Sequence, residues 1–341
     1  MKKRANELNI IKNHYKRGKF NAITDVEGIK VGHITLIKGK DVRTGVSVVL
    51  PPIDPSKNSL IAGGYVFNGN GEVTGLHYIM EKAKLNGPIF LTNTLSLGDV
   101  FSAVVEYYKG KIVLPVIGEC WDGYLNDIEG RYVKKKHVFS CIKNAKSGKV
   151  EEGCVGAGTG MISLGFKAGI GTSSRIVNLN GKKYTIGVLV NNNLGSFSKY
   201  LRMGKFLIGE SIQGISNKNM NEDSKQSSII IIIATDIPLT HNQLNRLSKH
   251  AVLGMARLGA VSFTGSGDFV IAFSTANKIP RKREVVSLEI ECIHEGFLDD
   301  AFEAVIESTE EAMINSLLMA EDMVGRDNRE VKSLRIEKFL K

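Results

Sequence analysis

Five consecutive isoleucines, Ile229 to Ile233, follow Ser228 and lead into Ala234, Thr235 and Asp236. β-Branched side chains at that density favour strand over helix, and the run is far too short to cross a membrane. It predicts a central strand covered on both faces. Just upstream, residues 216–226 hold one apolar side chain, Met220, and predict an exposed loop. A polar loop running into a rigid strand, with Ser228 at the joint, leaves two readings open. One is an ordinary loop-to-strand junction; the other is a processing site whose cut makes Ser228 a new N-terminus.

The rest of the pattern alternates. Residues 1–20 are mostly polar and basic and predict a mobile extension. Short β-like runs then predict strands over 29–37, 45–50 and 60–67, with Pro51, Pro52 and Pro55 breaking the chain between the last two. Helices over 76–85 and 99–108 alternate with strands over 89–92 and 112–117. A hairpin over 174–191 turns at Asn180-Gly181, a strong short-range hairpin signal. Thr240 is an N-cap for a helix through 258, which Gly259 ends. A strand over 269–273 and an edge-like run over 285–293 precede a long amphipathic helix over 299–323, stopped by Gly325. Without internal repeats or low-complexity linkers, the chain reads as an α/β layered protein with mixed sheets. Residues 21–341 form its one domain.

Composition narrows the function. At 341 residues and 43% hydrophobic content the chain can bury a substantial core. Its net charge of +10 comes from short, scattered clusters such as Lys2-Lys3-Arg4 and Lys134-Lys135-Lys136, without interleaved aromatics. Solvated loops account for them, and no nucleic-acid or membrane partner is expected. Four cysteines without a CxxC pair indicate neither zinc nor a disulfide framework, and seven histidines show no HxxxH or HExxH spacing, so no metal or cofactor is expected. Residues 5–15 lack the apolar core of a signal peptide, which points to the cytoplasm.

Four stretches carry candidate chemistry. The glycine-rich stretch 153–160 lacks the Lys-Ser/Thr of a phosphate loop, and close backbone packing explains it better. Asn68-Gly69-Asn70-Gly71-Glu72 is a tight turn or a substrate loop. Thr264-Gly265-Ser266-Gly267-Asp268 sets a serine and a carboxylate in a glycine turn but is not the GxSxG elbow. Glu119-Cys120-Trp121-Asp122-Gly123-Tyr124 places the only tryptophan beside two carboxylates after a strand end, where α/β proteins bind ligands.

Taken together, these stretches resemble the DmpA family of self-processing L-aminopeptidase/D-esterases, which includes the β-peptidyl aminopeptidases. The match runs in order through Asn21-Ala22-Ile23-Thr24-Asp25-Val26, Val31-Gly32-His33, Arg43-Thr44-Gly45, Asn68 to Glu72, Trp121 to Asp127 and Gly156 to Met161. It continues through Phe166 to Arg175, Ser228 to Asp236, Gly265 to Asp268 and Ser308 to Ala312, nearly the whole chain.

The resemblance implies a four-layer αββα sandwich similar to N-terminal-nucleophile hydrolases. It further implies self-cleavage between Ser227 and Ser228 into large (1–227) and small (228–341) subunits, with Ser228 as nucleophile. The family's supporting serine and acid fall on Ser266 and Asp268, its oxyanion-stabilising asparagine on Asn193, and the acid that holds the substrate amino group on Glu119. Its aromatic pocket wall falls on Trp121 and Tyr124. The implied substrates are small peptides, amides or esters with a free amino group, including β- or D-amino acid derivatives, and the implied assembly is a homo-oligomer, a tetramer of processed protomers. Ser227 stands where the family has glycine, Cys154 where it has asparagine and Leu194 where it has tyrosine; Ser163-Leu164-Gly165 is a changed pocket segment. An acyltransferase of the ornithine acetyltransferase type is the alternative, disfavoured because that group uses threonine as nucleophile. A catalytically dead binding protein on the same fold is a third reading, opposed by the intact Ser228, Ser266, Asp268 and Asn193.

Overall fold

The computed structural model of the chain describes residues 2–109, 111, 114–196, 199–211, 227–282 and 286–339. Its first half runs α1 (Ala5–Leu8), β1 (Lys30–Lys38), β2 (Val42–Leu50), β3 (Asn58–Gly69), β4 (Val73–Thr74), α2 (Leu76–Lys82), β5 (Lys84–Leu85), β6 (Ile89–Asn93), α3 (Leu97–Tyr108), β7 (Val116–Cys120) and α4 (Lys135–Lys143). The second half runs β8 (Ile162–Ser163), β9 (Phe166–Lys167), β10 (Ile170–Leu179), β11 (Lys182–Asn193), α5 (Ile208–Ser211), β12 (Ser227–Thr235), α6 (His241–Arg257), β13 (Ser266–Pro280), α7 (Leu298–Leu318), β14 (Met323–Val324) and β15 (Glu330–Val331).

Two mixed sheets face each other. One has the order β1-β2-β6-β7-β4, the other β10-β11-β12-β13-β3-β5. Strand alternation sorts the isoleucines of β12 between two cores. Ile230 and Ile232 join Leu91, Val116, Phe269 and Ile271 between the sheets. Ile229, Ile231 and Ile233 pack outward against Leu244, Leu247 and Ala251 of α6 and Ala301, Val305 and Ala312 of α7. On the far side of the first sheet, Val46, Val48 and Phe90 meet Val100 and Val104 of α3 and Val138 of α4. The layers are therefore αββα, and each buried isoleucine contributes roughly 1.5–3 kcal/mol to holding them together. Where β7 crosses β12 the sheets approach so closely that a Cβ on Gly118 would lie 3.0 Å from two carbons of Ile230.

Several expectations need correction. Residues 2–20 do not stand apart as an extension. Ala5, Ile10 and Ile11 are buried with α7 in the core, and the Arg4 guanidinium donates to the Asn21 and Thr172 carbonyls and pairs with Glu152. The strand expected over 112–117 runs from Val116 to Cys120; Ile112 and Val113 lie outside the described residues, and Pro115 has no N–H for a ladder. The last helix ends at Leu318 rather than near Gly325, and Met323 belongs to the β14–β15 ribbon. Residues 286–293 form no strand, and Val286, Leu288 and Ile290 are exposed. The hairpin is longer than expected, with Asn180 and Gly181 both at positive φ in its turn. The polar loop expected over 216–226 lies outside the described residues.

Candidate active site

β11 and β12 end together. In their antiparallel register Asn193 faces Ser228, and on the other side of β12 the parallel strand β13 sets Gly267 beside Ser228 and Ser266 beside Ser227. Asn193 Nδ2 lies 3.3 Å from Ser228 Oγ and donates to the Trp121 carbonyl at 2.8 Å, while its Oδ1 accepts from the Ile162 N–H at 2.9 Å. The amide is thereby fixed with its N–H groups toward the serine. Cys120 is also buried here, its thiol donating to the Asn191 carbonyl at 3.7 Å. Burial pushes the Cys120 thiol up, which keeps it neutral and leaves Ser228 as the nucleophile candidate.

The Ser266 hydroxyl donates to Asp268 Oδ1 at 2.6 Å, and burial raises the carboxyl of Asp268 despite that bond. Alternation along β12 and β13 decides what this pair can reach. Ile229 and Val270 face the helices, whereas Ile230 and Phe269 face the other sheet. Ser266 and Asp268 therefore share the face of Ser227, and Ser228 shares the face of Ile230. The pair stands beside the 227–228 peptide on the side away from the Ser228 hydroxyl.

Glu119 is buried in β7, not beyond its end as expected. Its Oε1 accepts from the Glu72 N–H at 3.0 Å, and Thr94 Oγ1 donates to Oε2. Burial raises its carboxyl, and these two hydrogen bonds work against that. The Asn68–Glu72 turn has a definite role: Asn70 donates to the Ser266 and Gly265 carbonyls, and Asn68 to the Phe263 carbonyl. A Cβ on Gly71 would meet Glu119 Oε1 at 2.9 Å, so glycine is what lets this turn close over the carboxylate.

Trp121 is half-buried, and its indole nitrogen has no hydrogen-bond acceptor among the described residues. Tyr124 is placed differently from its neighbours. It packs with Leu125, Ile162, Met323 and Val331, and the Arg329 guanidinium lies 5.0 Å from its ring centre. Thr94, Cys120 and Lys167 were not singled out from the sequence. Thr94 follows a strand end as Trp121 does, the one signal that could have marked it. Among the described residues no three His, Cys, Asp or Glu side chains cluster as a metal site would require. The glycine-rich stretch over 153–160 is a packing element: a Cβ on Gly156 would fall 2.2 Å from Ser47 Oγ.

The sequence profile of peptidase family S58 matches residues 21–331. The chain belongs to peptidase family S58. Its relatives within the family agree along almost their whole length. A β-peptidyl aminopeptidase, BapA, of Sphingosinicella microcystinivorans is 39% identical over 94% of this chain and 86% of its own. The crystal structure of the PH0078 protein from Pyrococcus horikoshii superposes with a TM-score of 0.92 at 44% identity, covering 100% of this chain and 98% of that one. The L-aminopeptidase D-Ala-esterase/amidase of Ochrobactrum anthropi, a prototype for the serine aminopeptidases and a variant of the Ntn hydrolase fold, superposes with a TM-score of 0.91 at 37% identity, covering 98% and 96%. This S58 member is accordingly a hydrolase, an aminopeptidase of the DmpA type on an αββα fold, and the comparisons lend no support to an acyltransferase or a binding protein.

Proposed function

We propose that Ser228 carries both a self-cleavage and the aminopeptidase reaction. The observation that supports it most directly is the 3.3 Å contact of Ser228 Oγ with the fixed amide of Asn193 at a shared strand end. In the first reaction the Ser228 hydroxyl adds to the Ser227 carbonyl, the peptide C–N bond breaks, and the acyl group rests on oxygen as an ester. The hydroxyl proton passes to the departing nitrogen, which becomes the free α-amine of Ser228, and water then opens the ester, releasing residues 1–227 with a carboxylate end and restoring the Ser228 hydroxyl. An α-amine has a pKa of about 8 and accepts the hydroxyl proton at neutral pH without a histidine. Ser266 and Asp268, on the Ser227 side, serve that amine: the raised carboxyl of Asp268 holds the Ser266 hydroxyl, whose oxygen is free to accept from the new ammonium.

In the second reaction the same hydroxyl attacks a substrate carbonyl, and Asn193 stabilises the oxyanion. Loss of one such donor costs about 3–4 kcal/mol in other acyl transfers. Glu119 receives the substrate ammonium, with Trp121 and Tyr124 as the aromatic wall. The substrates are small peptides, amides or esters with a free amino end, and β-amino acid peptides are favoured by the likeness to the β-peptidyl aminopeptidases. The enzyme works as a homo-oligomer in the cytoplasm; no helix among the described residues is long and apolar enough to cross a membrane.

The deciding experiment is intact-mass and N-terminal analysis of wild type and Ser228→Ala. Wild type is expected to separate under denaturation into roughly 25 and 12 kDa pieces by chain proportion, the small one starting at Ser228, since the ester formed on that hydroxyl is what water opens. Ser228→Ala is expected to stay whole and inactive. A cut and active Ser228→Ala protein overturns the nucleophile.

A further inference from the structure

Lys167 is a lysine with no exposed surface, and the reaction as described does not use it. Its Nζ donates to the carbonyls of Ala168 at 2.7 Å, Met161 at 2.8 Å and Gly158 at 3.3 Å. An ammonium has three protons, and these three acceptors use them all. Such a site is costly to build, because a buried charge loses its hydration and is recovered only by complete hydrogen bonding. Burial lowers the pKa of the Lys167 ammonium, and Cys154 and Asp122 act against that.

What the three carbonyls have in common is their position. They belong to the turn that leads into β8 and to the residue that follows β9. β8 and β9 pair with Ile162 directly opposite Lys167, through a two-residue turn in which Leu164 and Gly165 both have positive φ. Leu164 is an unfavourable residue for that turn, where Asn or Gly is preferred. The ribbon is held from outside: Gly195 exchanges backbone hydrogen bonds with Ile162 and Gly165, Ser163 donates to Asn192, and Lys167 clamps Met161, the residue before Ile162. The Ile162 N–H donates to Asn193 Oδ1 at 2.9 Å. A rotated Asn193 amide would set oxygen against the Trp121 carbonyl and N–H against the Ile162 N–H.

We propose that Lys167 is a positioning residue for the oxyanion donor: its ammonium fixes the 158–168 turn so that the Ile162 N–H locks the Asn193 amide toward Ser228. The proposal rests on the oxyanion role given to Asn193 above. A misplacement of about 1 Å at a reacting group can cost a factor of about 100, and loss of the donor itself about 100- to 1,000-fold. Lys167→Met keeps the length and the apolar volume of the stem and removes the clamp.

The test is a double-mutant cycle on processed enzyme with an amino-acyl p-nitroanilide. Lys167→Met is expected to lower kcat by about tenfold or more, with KM within about twofold, because the oxyanion forms only in the transition state. In the Asn193→Ala background the same substitution is expected to lower kcat no further. Equal losses in both backgrounds, or an unchanged kcat in Lys167→Met alone, overturn the proposal. An unchanged kcat in Asn193→Ala overturns the oxyanion role instead. Lys167→Gln, which keeps a shorter donor, is expected to fall between wild type and Lys167→Met. If neither Lys167 variant accumulates as folded protein, the residue serves folding alone and the proposal fails.

Discussion

Glu119→Gln removes one charge and almost no volume from the place where a substrate ammonium is expected. The Glu72 N–H donates to one carboxylate oxygen and fixes the orientation of the substituted amide, whose oxygen must stay on that side. Its nitrogen then faces Thr94, and the Thr94 hydroxyl turns to accept where it now donates. An incoming ammonium meets an N–H instead of an oxygen on that side and a neutral oxygen on the other. Hydrogen bonds to charged groups contribute about 1.5–3 kcal/mol and neutral ones about 0.5–1.5, so the loss is about 1–2 kcal/mol. That corresponds to roughly a 5- to 30-fold fall in kcat/KM for substrates with a free amino group. The assay compares an amino-acyl p-nitroanilide with its N-acetyl form on both proteins. Wild type should prefer the free amine, and Glu119→Gln should lose most of that preference while its rate on the acetylated form is unchanged. Because burial raises the Glu119 carboxyl, wild-type kcat/KM should also fall with decreasing pH above the usual carboxylate range, a limb absent from Glu119→Gln. Equal losses on both substrates, or a wild type indifferent to acetylation, refute the anchor.

Three further outcomes follow from the same geometry. Arg175→Met strands Glu307 and Glu311, which the buried guanidinium contacts at 3.0 and 2.6 Å, and should cost about 3–5 kcal/mol in urea unfolding of the uncut Ser228→Ala chain. Asp122 is pushed up to about 7 by burial, so the folded chain holds its proton more tightly than the unfolded one. That contribution is complete below the unfolded pKa and declines as pH rises toward 7; the Tm of wild type should therefore drop relative to Asp122→Asn between pH 5 and pH 8, and parallel Tm curves would contradict this. Ser227→Gly should speed conversion of whole chain to fragments on a denaturing gel, since glycine lets the backbone bend at the scissile bond, while kcat of the cut enzyme stays the same.

The isoleucine run made β12 and the position of Ser228 readable because β-branched density and polarity change sharply at one residue. Thr240 and Asn180-Gly181 were equally local signals, each satisfied within a few residues. Glu119 was misplaced for a physical reason: a carboxylate and a cysteine look like loop, yet both are buried in β7, where Glu72 and Thr94, distant in sequence, satisfy the carboxylate. The same blindness hid the N-terminal segment. Its basic residues look solvated until Glu152 and Glu311 are brought to Arg4 and Arg17 by the fold. Conversely, Val286, Leu288 and Ile290 alternate as a strand would, but no partner strand runs beside them among the described residues. Strand parity placed Ser266 and Asp268 on the Ser227 side of the sheet, which spacing within a glycine turn does not reveal.

The strand order β10-β11-β12-β13-β3-β5 interleaves the two sides of residue 227. β12 and β13 come after it, yet β11 flanks them on one side and β3 on the other, both from before it. Taken out of the sheet, the β12–β13 pair would present two bare edges, and β11 and β3 would each lose their inner neighbour. A cut at 227–228 thus leaves two chains that have no separate folds to retreat to. Its thermodynamic consequence is a change of molecularity. Within one protomer the uncut chain refolds as a single molecule, whereas the cut one must also bring two chains together. The melting temperature of the cut protein should fall more steeply on dilution than that of the uncut one, and refolding of its protomer should become second order in protein.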